Sequence, residues 1–174
     1  MGSCLFGYDP LKNQYKVLFI PTYCMEQGCQ VFTLGDPTAK QWRTIQSVGS
    51  HCPLFGAVCI DGVVYYRAKT SQNADPTSRY KLMSFDVRSE KFYHVNAPET
   101  LMDYFSCLIN YQGKLGFVCC MTGMEIWVRE DGDHKTQGWS NIFFYEIEDF
   151  ERWYFSGVTR GGEIVLCNMI DVLT

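Results

Sequence analysis

Short hydrophobic runs separated by turn residues follow one another along the whole chain. In the clearest group, the run Val63-Val64-Tyr65-Tyr66 comes directly after the dipeptide Asp61-Gly62. Glycine tolerates a positive φ in a tight turn, and β-branched and aromatic residues favour a pleated sheet. Together with the neighbouring runs, this pattern predicts four antiparallel strands, at 54–60, 63–68, 80–87 and 92–95, connected as a meander.

The same pattern recurs along the chain. Asp61-Gly62, Gln112-Gly113 and Gly161-Gly162 each separate two hydrophobic runs, at intervals of about fifty residues. A second series has a similar period, and its members are the aromatic residues Trp42, Phe92 and Trp139. Repeats of about fifty residues with four strands each are typical of Kelch-type β-propeller blades. We expect the recurring aromatic residues to pack blade against blade.

The repeat predicts an all-β fold of antiparallel four-stranded meander blades. Further strands are expected at 4–8, 15–20, 29–34, 42–46, 105–111, 114–120, 124–129, 139–147, 153–159 and 163–169, with one possible helical turn at 98–103. This is a Kelch-like partial β-propeller of about three and a half blades, in a single domain spanning 1–174. Because a propeller typically closes with about four to eight blades, we interpret the chain as a fragment of a longer propeller. An incomplete propeller leaves an unpaired strand edge and an apolar blade face, which must pair with something else.

Composition narrows the function classes. Hydrophobic residues make up 47% of the chain, which is typical of a globular protein, and the net charge is −4 with no basic cluster that would favour nucleic-acid binding. The nine cysteines are odd in number and two of them are adjacent, which favours buried thiols in a reducing compartment over a disulfide framework. No apolar run approaches the ~20 residues of a membrane span, so no membrane partner is predicted. We therefore expect a cytoplasmic or nuclear protein.

Catalytic and metal-binding patterns are weak. His51-Cys52 and the spacing of Cys24 and Cys29 are the nearest approach to a cysteine–histidine pair or a zinc site, but neither has the spacing that such sites usually show. No catalytic, cofactor-binding or metal-binding residues are predicted, and the chain is interpreted as a non-enzyme without cofactors. A small cysteine-dependent hydrolase stays open as an alternative, as does a truncated product that has no independent function.

Binding residues are expected in the least repetitive segments, because loops on a rigid scaffold commonly carry recognition. The irregular segments are 22–28, 48–53, 69–79 and 96–103, which we expect to open on one face of the blades. The candidate protein-binding residues in them are Tyr23, Glu26, His51, Asn73, Asp75, Arg79 and Glu99.

Several segments carry a family likeness. The opening run from Phe6 to Leu18, the turn segment from Cys59 to Tyr66 and the hairpin from Ser84 to Phe92 closely resemble motifs of the plant F-box-associated domain, and they occur in the same order. The likeness covers nearly the whole chain. It implies a protein–protein interaction module that recognises the substrate of a cullin-type ubiquitin ligase.

In that family an N-terminal F-box docks on a Skp-type adaptor, while the associated domain holds the protein to be ubiquitinated. This sequence contains no Leu-Pro opening followed by a leucine-rich helical stretch, which would mark an F-box. The expected partner is therefore a protein substrate of unknown identity, and a Skp-type adaptor only if an F-box lies upstream. The family offers no catalytic residues to carry over.

Overall fold

The computed structural model describes residues 2–22, 28–35, 41–46, 49, 51–70, 80–102, 106–120, 123–130, 138–146, 153–159 and 161–168. The chain divides into two compact units, 1–97 and 98–174. Each unit is built from antiparallel sheets, as the hydrophobic pattern predicts. The expectation that 1–174 forms a single domain stays a prediction.

The first unit contains two four-stranded sheets. The first blade is β1 (Gly2–Asp9), β2 (Gln14–Pro21), β3 (Cys29–Leu34) and β4 (Arg43–Ile45), and the second is β5 (His51–Ile60), β6 (Val63–Thr70), β7 (Tyr80–Asp86) and β8 (Lys91–Val95). In both blades the strands are hydrogen-bonded in sequence order, with antiparallel neighbours. The predicted meanders are confirmed here, although β5 begins at His51, so that part of the predicted loop 48–53 is a strand.

The second unit contains a third four-stranded blade and a two-stranded sheet. The third blade is β9 (Ser106–Tyr111), β10 (Lys114–Cys120), β11 (Met124–Arg129) and β12 (Trp139–Tyr145), and the two-stranded sheet is β13 (Trp153–Val158) with β14 (Ile164–Asn168). A 3-10 helix at Glu99–Met102 confirms the predicted helical turn. The nearly all-β architecture is the one that the repeat predicts.

Tight turns set the register of the repeated hairpins. Asp61 and Gly62 have φ values of 47° and 82°, and Gln112 and Gly113 have values of 51° and 85°. Positive φ at both central residues defines a type I′ turn, whose twist matches that of antiparallel strands. The two dipeptides therefore start equivalent hairpins, β5–β6 and β9–β10, as their spacing in the sequence predicts.

An apolar core joins the two blades of the first unit. Leu18, Ile20 and Val31 of the first blade pack with Tyr66 and Phe85 of the second, and all five are almost fully buried. At Gly7 the blades come so close that an added Cβ would lie 2.4 Å from Val87 Cγ2. A glycine at this position allows β1 to lie directly against the second blade.

A charge cluster around the buried Lys16 adds a polar connection between the same two blades. The Nζ of Lys16 in β2 donates hydrogen bonds to the carbonyl of Val87 at 2.7 Å and to Glu90 Oε1 at 2.6 Å, and its residue is only 6% exposed. Arg43 also donates to both carboxylate oxygens of Glu90. Burial alone would raise the pKa of Glu90, but the hydrogen bonds from Arg43 and Lys16 outweigh it and hold the pKa below its usual range. Glu90 therefore stays ionised between two cations.

The recurring aromatic residues have different surroundings. Phe92 is 6% exposed and belongs to the core between the first two blades, as predicted. The ring of Trp139 lies 5.2 Å from that of Phe117 in its own blade. Trp42 is 46% exposed and its ring lies against Phe19 and Phe32 of its own sheet, so for Trp42 the predicted packing between blades is wrong.

Candidate protein-binding surface

The outer strand of the third blade carries the longest exposed apolar run in the described part of the chain. Four consecutive residues of β12, Ile142, Phe143, Phe144 and Tyr145, are 47%, 43%, 58% and 57% exposed, respectively. We call these four residues the β12 strip. Large hydrophobic side chains that remain together at a surface commonly mark a site of protein association.

The β12 strip presents side chains on both faces of its sheet. Phe143 lies opposite Ile126 and Tyr145 lies opposite Met124, so both point to the side of the third blade that carries its buried core. Their rings stack with centroids 6.4 Å apart. Phe144 lies opposite Glu125 and points to the other side.

A β-bulge shapes the strip. The register shifts between the pairs of Ile126 and Trp127, which leaves Ile142 as the extra residue of β12. Polar contacts support the bulge, because Asn141 Oδ1 accepts a hydrogen bond from the backbone of Phe143 at 3.1 Å. Glu125 Oε2 also accepts from Trp127 Nε1 at 2.8 Å. The strip is therefore displayed in a fixed local geometry.

The outer strands of the other two blades differ from β12. The strand β4 has three residues including Arg43, and β8 has five residues including Lys91, whereas the seven residues of β12 carry no charge. Short length and charged side chains are the usual means by which proteins prevent association at a sheet edge. Apart from its bulge, β12 lacks these protections, which favours it as a surface for a protein partner.

His51 is buried, in contrast to the open loop predicted for it. Its residue is 7% exposed, its Nε2 lies 2.8 Å from the hydroxyl of Tyr66, and its Nδ1 lies 3.2 Å from the carbonyl of Gly49. Burial lowers the pKa of His51, so the ring is neutral near pH 7. The neutral ring then donates from Nδ1 to Gly49 and accepts at Nε2 from Tyr66. Such a side chain offers little surface to a partner.

Glu99 is the other predicted binding residue that the structure describes. It is exposed at the start of the 3-10 helix in the second unit. Tyr23, Glu26, Asn73, Asp75 and Arg79 lie outside the described residues, and their role in binding stays a prediction.

The described thiols and histidines give no support to the alternative of a cysteine-dependent hydrolase. Both ring nitrogens of His51 have partners other than Cys52, whose Sγ lies 3.8 Å from the carbonyl of Pro53. Burial, with a smaller contribution from Cys107, raises the pKa of the Cys120 thiol to about 11, which disfavours the reactive thiolate. Within the described ranges no three His, Cys, Asp or Glu residues are grouped as metal ligands, and Cys24 lies outside those ranges.

The sequence predicted β12 as a strand but not as an exposed site. A strand with one covered face alternates between apolar and polar residues, whereas Ile142-Phe143-Phe144-Tyr145 is continuously apolar. Such a run also occurs in strands that are buried on both sides, so the pattern alone could not distinguish the two cases. Its place as the outer strand of a blade was the signal that could have identified it.

Four-stranded antiparallel meanders that repeat along a chain are the blades of a β-propeller, which is the class of protein that this fold defines. The model of the F-box associated beta propeller domain matches residues 2–171, so the chain belongs to that family. The resemblance noted in the sequence is thereby confirmed. In the described part of the chain, no helix is long and apolar enough to cross a membrane.

Similar proteins occur in Arabidopsis thaliana. The chain is 50% identical to "Putative F-box protein At5g50220" over 171 residues, which cover 98% of this chain and 46% of that protein. It is 57% identical to "Putative F-box protein At1g32420" over 135 residues, which cover 76% and 43%, and 40% identical to "F-box protein At1g52495" over 175 residues, which cover 92% and 40%. The chain thus spans less than half the length of these relatives.

Proposed function

We propose that this chain is a protein-binding module and that the β12 strip contacts its protein partner. The observation that carries the proposal is the exposure of four consecutive large hydrophobic residues on an uncharged outer strand. Phenylalanine and tyrosine are enriched at protein interfaces because they bury much apolar area at a low cost in side-chain entropy. The complementary partner surface is an apolar segment that contacts both sides of the strand.

Packing beneath the β12 strip holds its side chains in place before a partner binds. Phe143 and Tyr145 lie at the edge of a buried cluster that includes Ile126 and Met124, so the strand below them is fixed by packing. Preorganised side chains lose less conformational entropy when a partner binds. The strip is therefore expected to bind with little rearrangement.

The biological role that fits family membership is recognition of a protein destined for ubiquitination. Relatives that match this chain are named as F-box proteins, and the shared domain is the one that is associated with the F-box. In a longer product with an F-box, that segment would contact the Skp-type adaptor of a cullin ligase. The residues of this chain would hold the substrate.

Affinity capture with paired variants tests the binding surface. The intact chain and the variant Phe144→Ser/Tyr145→Ser are used to capture proteins from a plant extract, and recovered proteins are quantified by mass spectrometry. We expect the double variant to lose at least about tenfold of a specific partner, because a truncated interface aromatic commonly costs more than ~1.4 kcal/mol. Tyr93→Ser is the matched control, because Tyr93 is a 51% exposed tyrosine on the outer strand β8 of another blade.

A loop variant separates this surface from the one predicted by sequence. Residues 71–79, which contain the candidates Asn73, Asp75 and Arg79, are replaced by a Gly-Ser linker of equal length. If the linker removes the partner and the β12 variant retains it, the β12 strip is wrong as the binding surface and the predicted loops are favoured. If Tyr93→Ser weakens capture as much as the β12 variant does, the effect is not specific to the strip.

A further inference from the structure

The main chain of β12 has one edge that no other described strand occupies. The strands of the third blade pair in the order β12, β11, β10 and β9, so β12 is the outermost of the four. An unoccupied edge presents N–H and C=O groups that are able to pair with another strand. The pairing of β12 with β11 determines which residues present these groups.

The hydrogen bonds of the third blade identify the residues that face the unoccupied edge. The backbone of Glu130 donates to the carbonyl of Gly138 at 3.0 Å, so this pair at the end of the register is hydrogen-bonded. Hydrogen-bonded and non-hydrogen-bonded pairs alternate along an antiparallel ladder. Because β11 keeps an unbroken register with β10, Glu125, an odd number of residues before Glu130, directs its N–H and C=O toward β10. Phe144 lies opposite Glu125, so its own N–H and C=O point to the unoccupied edge.

The β-bulge divides this edge into two parts. Asn141 also lies in a non-hydrogen-bonded pair, opposite Trp127, so its main chain faces the same edge. The extra residue Ile142 places the outward groups of Asn141 and Phe144 three positions apart. A regular partner strand matches groups at every second residue, so it is unable to pair with both. The outward position inside the apolar run is Phe144.

The side chains around Phe144 define which partner strand fits. Successive residues of a strand alternate between the two faces of a sheet. A strand that pairs at Phe144 places one side chain beside this ring, and it places the two neighbouring side chains on the face of Phe143 and Tyr145. All three rings are exposed. The centre of the partner segment must therefore be apolar on both faces.

Carboxylates lie around the same part of the edge. Glu125 lies directly opposite Phe144, and the exposed Glu146 follows just beyond the end of the strand. The basic residue of β11, Arg129, lies at the other end of the ladder, opposite Trp139. Complementary charges steer association and fix the register of a partner. A lysine or arginine beside the apolar centre of the partner segment complements these two carboxylates.

We propose that the partner binds as an added β-strand, in which an extended apolar segment with a basic flank pairs its main chain with Phe144. The inference rests on the proposed function, because it specifies the partner of the same surface. In such a complex the main-chain hydrogen bonds supply affinity, and the alternating side chains supply specificity. A folded apolar surface would cover the same rings without using the main-chain groups of Phe144, so the two modes of binding are distinguishable.

Two substitutions of Phe144 separate the contribution of the main chain from that of the ring. Phe144→Ala and Phe144→Pro both remove the ring, but only proline also removes the N–H. Because this N–H faces the unoccupied edge, proline removes no hydrogen bond to β11 and is tolerated. The probe is a fluorescent peptide with the central sequence Thr-Val-Phe-Val-Thr between pairs of lysines, and its binding is measured by anisotropy. We expect Phe144→Pro to bind it at least about tenfold more weakly than Phe144→Ala, because a carbonyl of the peptide loses its donor.

Methylated peptides test the pairing on the intact chain. The N–H groups of a strand point to alternate edges, so methylation of every second central amide blocks one edge, and methylation of the others blocks the opposite edge. We expect one methylated peptide to bind at least about tenfold more weakly and the other to bind like the unmodified probe. A probe with glutamate in place of lysine should also bind more weakly. Equal binding of the lysine and glutamate probes would refute the basic flank.

The outcomes distinguish the mode of binding from the surface itself. Equal binding by Phe144→Ala and Phe144→Pro, equal binding of the two methylated peptides, or an intact chain that does not bind the unmodified probe overturns strand addition. If Phe144→Ser/Tyr145→Ser still loses its partner from the plant extract, the β12 strip is retained as the binding surface and only the mode is wrong. If that variant keeps its partner, the proposed function fails as well. Circular dichroism establishes that both Phe144 variants are folded, and the methylated peptides decide if Phe144→Pro is not.

Discussion

The two units cover their blades to different extents. In the first unit, the residues that the two four-stranded blades place against each other, such as Leu18, Tyr66 and Phe85, are at most 2% exposed. In the second unit, Phe155 and Leu166 of the two-stranded sheet are only partly buried against the third blade. The side chains are equally apolar in both cases. What differs is the sheet to which the residues belong, because Phe155 and Leu166 lie in a two-stranded sheet without the flanking strands that surround Tyr66 and Phe85 in their four-stranded blade.

The largest expected effect comes from removing a fully buried aromatic side chain in the first unit. The same deletion in the second unit provides the comparison. Phe85→Ala deletes a ring that is 1% exposed, and it should lower the free energy of unfolding by about 3–5 kcal/mol. Phe155→Ala deletes the same ring from a partly buried site, and the loss should be clearly smaller because less apolar area leaves water. Chemical denaturation of both variants measures the difference.

Phe6→Ala serves as the exposed reference in the same experiment, because Phe6 is 64% exposed. It should change the free energy of unfolding by less than about 0.5 kcal/mol. Equal losses for Phe85→Ala and Phe155→Ala would contradict the view that the number of strands in a residue's own sheet affects its burial.

The same contrast explains how much of the molecule could be predicted from sequence. Asp61-Gly62 and Gln112-Gly113 form tight turns because of their local backbone preference. The strands on either side of these turns, and their order, could therefore be predicted from the sequence. Tyr15 of β2 is 56% exposed whereas Val64 of β6 is 1% exposed and packs in the core between the first two blades, and the local pattern carries no information about such cover by another sheet. His51 was misplaced for a related reason, because the pattern around it does not reveal that its ring lies against Tyr66 of the neighbouring strand.

An intermediate effect is expected from the charge cluster that connects the two blades of the first unit. Glu90→Gln leaves the buried Lys16 ammonium without its carboxylate, and the loss in free energy of unfolding should be about 3 kcal/mol. Arg43→Gln removes a partner whose side chain is 50% exposed, so less than about 1 kcal/mol should be lost. Urea denaturation at neutral pH compares the two variants.

The pH dependence of the same variants provides a control. Because the folded-state pKa of Glu90 is lowered, its stabilisation is fully present above the ordinary glutamate value near 4.5 and is lost as the pH falls through the folded-state pKa. The intact chain should therefore lose stability in acid more steeply than Glu90→Gln does. Parallel acid profiles would show that the cluster contributes little to holding the blades together.

The smallest effect is expected from removing the hydrogen bond between His51 and Tyr66. The variant tests how far this bond offsets the cost of burying two polar side chains in the first unit. Tyr66→Phe keeps the ring but removes the donor to His51 Nε2, so the free energy of unfolding should fall by about 1 kcal/mol.

Because the pKa of His51 is lowered in the folded state, the neutral ring stabilises the fold above pH 6.5, and this contribution is lost as the pH falls below that value. An NMR titration of His51 should show the lowered pKa in the intact chain. A His51 that titrates at its ordinary value would mean that the ring is hydrated, and that the first unit is less tightly closed at this point than its exposed fraction of 7% indicates.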